Sequence, residues 1–294
     1  MVNFTQLALL QQGIETWETW RSQHPQATVD LSGADLRGVN LQGINLKGAN
    51  LKGANLAGAN LRAATLNIAN LSHAILVDAI LSGAEMIDTV LVAADLTQAN
   101  LENANLIGAD LRTTTLQAAI LTGANLIGTE LHRANLRAAD LTAANLCRTD
   151  LSEAILLHAD LGHANLSGAN LHQAELSETH LYRTNFHKAN LRATHLNGAY
   201  LYGANLSEAI LTTADLRWAI LRRANLNATD CRRATLRGAN LREARLQYTD
   251  LRGANLRGVQ FSHTDLTGAI VDETTVVDAP LPIAASSFPS QKLD

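Results

Sequence analysis

Residues able to do chemistry are few in this chain and lie late in it. His158, Asp160 and His163 bring proton-transfer groups close together, and His180, His195 and Tyr200 follow. General acid–base work needs such groups to converge on one substrate atom within hydrogen-bond reach. Between residues 211 and 260 ten Arg stand against Asp215, Asp230, Glu243 and Asp250, a local balance of +6, and Tyr182 and Tyr202 precede them. Guanidinium groups grip phosphate and carboxylate oxygens, and aromatic faces accept stacked bases, so this mixture suits an anionic partner. There is no Gly-rich phosphate loop, no His-Glu-x-x-His and no Cys pair at metal spacing. We expect no catalytic residue, no cofactor and no metal.

The elements that position these groups follow from one period. From Leu31 to Leu266 every fifth residue is large and apolar without a slip; 44 of the 48 are Leu, and the others are Met86, Phe186, Cys231 and Phe261. Two residues earlier the side chain is small, usually Ala or Thr, and the residue just before each Leu is most often Asn or Asp. A period of five matches neither a helix nor a strand. It describes a solenoid whose chain turns after each A-(N/D)-L-x-x pentad, with Leu and the small residue inward and three side chains outward. Coils stacked at about 4.8 Å satisfy one another's backbone groups, and each buried Leu contributes roughly 1.5–3 kcal/mol. Gly two residues after Leu, as at Gly33 and Gly53, suits the turn.

The repeated motif closely resembles that of the pentapeptide-repeat family over about four fifths of the chain. The resemblance implies an all-β solenoid, a right-handed quadrilateral β-helix with one pentad per face, and so about 12 coils from 48 pentads. It also implies that residues 20 apart share a column. Ile87, Ile107, Ile127 and Cys147 then form an outward apolar row. Arg217, Arg237 and Arg257 form a cationic row on the opposite face, and Tyr182, Tyr202, Arg222 and Arg242 form a third column. The same geometry points His158, Asp160 and His163 apart, and makes His180 and Tyr200 surface neighbours beside His195. The Asn column that includes Asn105, Asn125, Asn165, Asn185, Asn205 and Asn225 serves turns and neighbouring amides rather than a ligand.

Solenoid ends expose an open core and unpaired edges, so caps are expected. Phe4, Leu7, Leu10, Ile14 and Trp17 fall three or four apart, which predicts one amphipathic helix from Met1 to about Ser22, ended by His24-Pro25. The run from Gly13 to Arg21, with Trp17 and Trp20, resembles the N-terminal helix of cyanobacterial pentapeptide proteins. Residues 1–26 are thus a capping helix, 27–277 the β-helix, with Val271, Val276 and Leu281 as one more imperfect coil, and 278–294, rich in Pro and Ser, a flexible tail. No C-terminal helix is patterned, which leaves a monomer or an end-to-end homodimer as the expected states.

A mean hydropathy of −0.01 without a long apolar run gives no membrane span, and the N-terminus lacks a secretion signal, so a cytoplasmic location is expected. Cys231 points inward and Cys147 outward, so no disulfide is expected. The functional expectation is a non-enzymatic scaffold whose rigid surface meets another protein. Two alternatives remain: a module for an anionic partner, nucleic acid included, through the Arg/Tyr columns of residues 182–257; and protection or inhibition of DNA gyrase by duplex mimicry, a role the resemblance brings with it. Mimicry needs a dense anionic surface, yet residues 31–270 carry 21 basic and 20 acidic side chains.

Overall fold

In a computed structural model the chain forms two compact units, Met1–Asp150 and Leu151–Asp294, and the structure describes residues 3–278 and 281. Both units repeat one local device, visible in the N–H groups of a single pentad. Leu51 donates to Asn70 O at 2.7 Å and Gly53 to Ser72 O at 2.9 Å, both on the next coil, while Asn55 donates back to Ala34 O at 2.9 Å on the previous one. Ala54 closes the turn onto Leu51 O at 3.0 Å. The fifth donor, Lys52 N–H, goes to the Asn50 side chain at 3.2 Å. The Asn or Asp before each Leu is therefore the acceptor that completes the backbone accounting. The second unit does the same around Leu206, where Ser207 N–H donates to Asn205 Oδ1 at 3.2 Å.

Parallel bridges join residue i to i + 20, from Asp30 with Asn50 to Glu130 with Asp150 in the first unit and from Ile155 with Glu175 to Asp250 with Ile270 in the second. Each coil is thus four pentads, and the Leu ladder fills its axis: Leu106 and Leu206 are both 0 % exposed, as are Met86, Phe186 and Cys231. Where Thr replaces the inward Ala its hydroxyl needs a partner, and Thr89, Thr129 and Thr229 each donate to an inward residue's carbonyl one coil back, at 2.8 to 2.9 Å.

At every pentad from Gly33 to Gly268 the second turn residue has φ between +51° and +72°, whether or not it is Gly. An L-residue held there costs roughly 1–2 kcal/mol, which the flanking ladder bonds offset. Ala118, exposed at φ +53°, is one such site. Ala118→Gly is expected to raise stability by roughly 1 kcal/mol, read as a higher urea midpoint at unchanged slope.

The N-terminus departs from the single helix expected. Helix α1 (Phe4–Gln11) ends before Gly13, whose φ of +111° no helix accommodates, and α2 (Ile14–Gln23) starts afresh. The break turns the apolar stripe: Leu10 and Trp17 are buried, Leu7 and Ile14 are half-buried, and Phe4 stands 75 % exposed. Together the helices imitate a preceding coil. Asn3 N–H donates to Asp30 O at 2.9 Å, and Gln6 takes Asp30 N–H and gives to Thr28 O, both at 2.8 Å. Trp17 Nε1 donates to Asn45 O at 3.0 Å, Glu18 accepts Asn45 N–H at 2.7 Å, and Arg21 reaches Lys47 O at 2.9 Å.

At the other end the period slips. Val271 is buried, but one extra residue in the turn from Asp272 to Thr275 moves Thr275 into the small inward place, where its hydroxyl reaches Leu251 O at 3.1 Å. Val276, expected inward, instead occupies the bridging place opposite Asn255. Phe261, also expected in the core, is only half-buried, and the one-residue slip after Val271 takes the chain out of the interval of 20 that would stack residue 281 over it. Of the expected tail, 279–280 and 282–294 lie outside the described residues.

Candidate interaction surface

The Arg and Tyr columns lie in the second unit, and their long side chains choose partners that the column rule alone does not select. Tyr182 and Tyr202 stack, with ring centres 5.7 Å apart at 16°. His163 meets the Tyr182 edge at 5.1 Å. The cations on this ladder are Arg183, 5.2 Å over Tyr182, and Arg223, 6.0 Å over Tyr202, whose Nη1 also donates to the Tyr202 hydroxyl at 2.9 Å. Arg222, expected to continue the stack, turns to Glu243 at 2.9 Å instead. Arg223 and then Arg222 hold the Glu243 carboxyl below its ordinary value.

The Arg217 row divides in the same way. Wherever Asp-x-Arg occurs the guanidinium folds back onto the carboxylate two residues before it: Arg217 on Asp215, Arg232 on Asp230 and Arg252 on Asp250, each with Nη2 to Oδ2 at 2.6 Å. In the first unit Arg37 and Arg112 do so on Asp35 and Asp110. These charge-assisted bonds hold the Asp35 carboxyl down to about 2 and those of Asp110, Asp230 and Asp250 below the usual carboxylate range. Arg237, Arg242 and Arg257 make no ion pair among the described residues. The clustered acids of residues 211–260 are therefore already taken, and the free cations are fewer than the composition indicates.

Beside the Arg237 and Arg257 row stands a residue that sequence reasoning missed. Trp218 is 64 % exposed, and its ring lies flat against Gly238, where a Cβ would come within 2.2 Å of Trp218 Cε3. Its signal was present: Trp218 falls at a turn position and the residue 20 later is Gly, a pairing repeated by Tyr248 and Gly268. A missing side chain on one coil makes room for a ring from the coil before.

Ile87, Ile107, Ile127 and Cys147 share a column in the first unit, and all four are half-buried. The apolar side chains of that unit that reach solvent most are Ile68, Ile75, Ile80 and Ile120, after Phe4 of the cap. Oδ1 of Asn105 and Asn125, just upstream of Ile107 and Ile127, are buried without a partner among the described residues. In the second unit the Asn column forms a ladder, with Asn185, Asn205 and Asn225 each donating from Nδ2 to the Asn one coil back at 3.0 to 3.1 Å.

The chemistry-bearing histidines do not converge. His158 pairs with Glu178 at 3.6 Å, His195 bonds Glu175, and His180 leans on Tyr200 with ring centres 5.2 Å apart. Among the described residues no His, Cys, Asp and Glu cluster could hold a metal ion, and no helix is long and apolar enough to cross a membrane. Neither cysteine is in a disulfide among the described residues, and burial pushes the Cys231 thiol far up, which leaves it unreactive.

A ladder of turns with a packed axis and its functional groups spread along outer columns is a solenoid scaffold. The family model for pentapeptide repeats matches in overlapping segments from 30–67 through 234–272, and the chain belongs to that family, whose members fold as right-handed quadrilateral β-helices and act as interaction proteins rather than enzymes. It is 34% identical to HetL, a protein involved in heterocyst differentiation regulation from the cyanobacterium Nostoc sp. Strain PCC 7120, over 84% of this chain and 92% of that one, with a TM-score of 0.39. Rfr23 from the cyanobacterium Cyanothece 51142 shares 40% identity over 40% of this chain and 64% of its own, with a TM-score of 0.16. QnrB1, a plasmid-mediated fluoroquinolone resistance protein, shares 16% over 84% and 93%, with a TM-score of 0.35. No curated protein matches the chain.

Proposed function

We propose that this chain is a non-enzymatic scaffold of the cytoplasm that binds another protein through its second unit, at a surface centred on Trp218 and edged by Arg237 and Arg257. The observation that carries this reading is the placement of Trp218, an exposed indole seated on a glycine shelf. Its rotamer freedom is already restricted, so a partner that covers it loses little further ordering entropy. Trp and Arg dominate the residues on which protein interfaces depend, and burying one such Trp is worth about 2 kcal/mol or more. The two free guanidinium groups at its edge select a partner with carboxylates around an apolar centre.

The Arg/Tyr columns support an anionic polymer less well, because Glu243 neutralises Arg222 and Arg223 beside the Tyr stack. Duplex mimicry has still less support, since the acids near those columns are engaged by Arg.

The test is affinity capture from lysate with the intact chain, with Trp218→Ala, with Gly238→Ala and with a chain lacking residues 1–24. Capture should fall at least about tenfold for Trp218→Ala and drop for Gly238→Ala, whose new methyl displaces the indole. It should persist without the helices. Recovery of the same proteins by the Trp218→Ala variant would remove this surface from the function.

A further inference from the structure

One pentad before the Trp218 corner, the second unit carries a recess of about 550 Å³ that owes its form to side-chain length. Residues 192, 212, 232 and 252 are one column at the first turn position, and 213, 233 and 253 are the next column. Long Arg side chains stand at Arg192 below and at Arg232 and Arg233 above, while the coil between them carries only Thr212 and Thr213. The short pair leaves a gap between two cationic banks about 10 Å apart at the coil spacing.

The donors around this gap are of two kinds. Arg232 and Arg252 are clamped by Asp230 and Asp250 through Nε and Nη2, which fixes their planes and leaves each Nη1 without an acceptor among the described residues. Arg192 and Arg233 have no carboxylate partner among the described residues. The Arg233 stem is set by the close approach of Gly253, where a Cβ would lie 3.2 Å from Arg233 Cγ. Thr213 donates its hydroxyl to Thr212 O at 2.6 Å, and the Thr212 hydroxyl remains a donor without a partner among the described residues. The one carboxylate on the wall that no Arg clamps, Asp272, is tied up by turn donors: its Oδ1 accepts from Gly253 N at 3.2 Å on the coil before, and from Thr274 N at 3.1 Å, the Thr274 hydroxyl at 2.7 Å and the Thr275 hydroxyl at 3.2 Å on its own turn, while its charge also acts on Arg252.

We propose that this recess binds a small phosphoanhydride, an anion with two adjacent phosphoryl groups, gripped at one end by Arg192 and at the other by Arg233 with the Thr212 hydroxyl between them. Guanidinium forks match phosphoryl oxygens in pairs, and the clamped Arg232 and Arg252 hold fixed positive charge beside the gap that Arg192 and Arg233 close upon. A single phosphoryl group reaches one bank and leaves the other unmatched. This site is separate from the Trp218 surface and does not rest on it.

Calorimetric titration of the full chain with sodium pyrophosphate at low salt tests this, with ADP and orthophosphate as further titrants. The expected result is saturable binding of one pyrophosphate per chain, weaker for orthophosphate. Binding falls at least about tenfold in Arg192→Ala/Arg233→Ala and in Thr212→Arg, which fills the gap, but less than about twofold in Arg237→Ala/Arg257→Ala on the neighbouring column. Competition by ADP assigns the anhydride to a nucleotide, and its absence assigns it to the free diphosphate. Circular dichroism shows whether each variant retains its fold. Absence of saturation in the intact chain, or equal weakening by the Arg237/Arg257 pair, overturns the proposal.

Discussion

Trp17→Ala is expected to destabilise the first unit by roughly 3–5 kcal/mol, the range for removing a buried aromatic side chain. Trp17 is 0 % exposed, and its Nε1 is the donor for Asn45 O, so the substitution removes packing and also leaves a carbonyl of the first coil without a partner. The consequence extends beyond the helix. With α2 loosened, Glu18 and Arg21 no longer hold Asn45 N–H and Lys47 O, and the first coil presents an unpaired edge of the kind that recruits other chains. Urea unfolding should show the midpoint shift, and light scattering should show association at concentrations where the intact chain is monodisperse. Phe4→Ala is the matched control: at 75 % exposed it should change stability by less than about 0.5 kcal/mol. An equal loss in both variants would mean that the helices do not act as a cap.

Leu206→Ala is expected to cost roughly 2–5 kcal/mol, and the site has little means of relaxing. Leu206 is 0 % exposed, and its backbone is held from both sides, through its own N–H to Asn225 O at 2.7 Å and through Asn205 N–H to Thr184 O at 2.9 Å. Ladder bonds spaced this closely prevent the coil from collapsing onto the cavity. The reverse change on the neighbouring small position, Ala204→Leu, overfills an axis that admits one bulky residue per pentad, and should cost roughly 1–3 kcal/mol. Because each coil touches only its neighbours, the damage is local. Hydrogen exchange should accelerate first at the amides of Phe186 and Leu226, the ladder residues one coil to either side, before more distant coils respond. Uniform acceleration throughout the second unit would show that it unfolds as one block.

The regular part of this protein was legible in its residues because every pentad solves the same problem within a few residues. Leu fills the axis, Ala or Thr leaves room for it, and Asn or Asp takes the turn N–H. Such choices need only a short stretch of chain, so the inward places of Leu106 and Leu206 could be read directly; four pentads per coil, and with them the columns at an interval of 20, came with the family resemblance, because a period of five sets no number of faces. Tertiary structure alone decided what happened where long side chains or chain ends had competing options. The apolar spacing of Leu10, Ile14 and Trp17 is the same for one helix or two, and docking onto Asn45 with a break at Gly13 selects two. Arg222 and Arg223 are adjacent in sequence, but the position of Glu243 a coil away sends both to one carboxylate and leaves the Tyr202 ring to Arg223. Trp218 becomes a platform because Gly238 lies above it, and Val276 loses its inward place because one extra residue in the turn from Asp272 to Thr275 puts Thr275 there instead. Local burial and turn chemistry are encoded every five residues; the pairing of a flexible side chain depends on what the next coil brings within its reach.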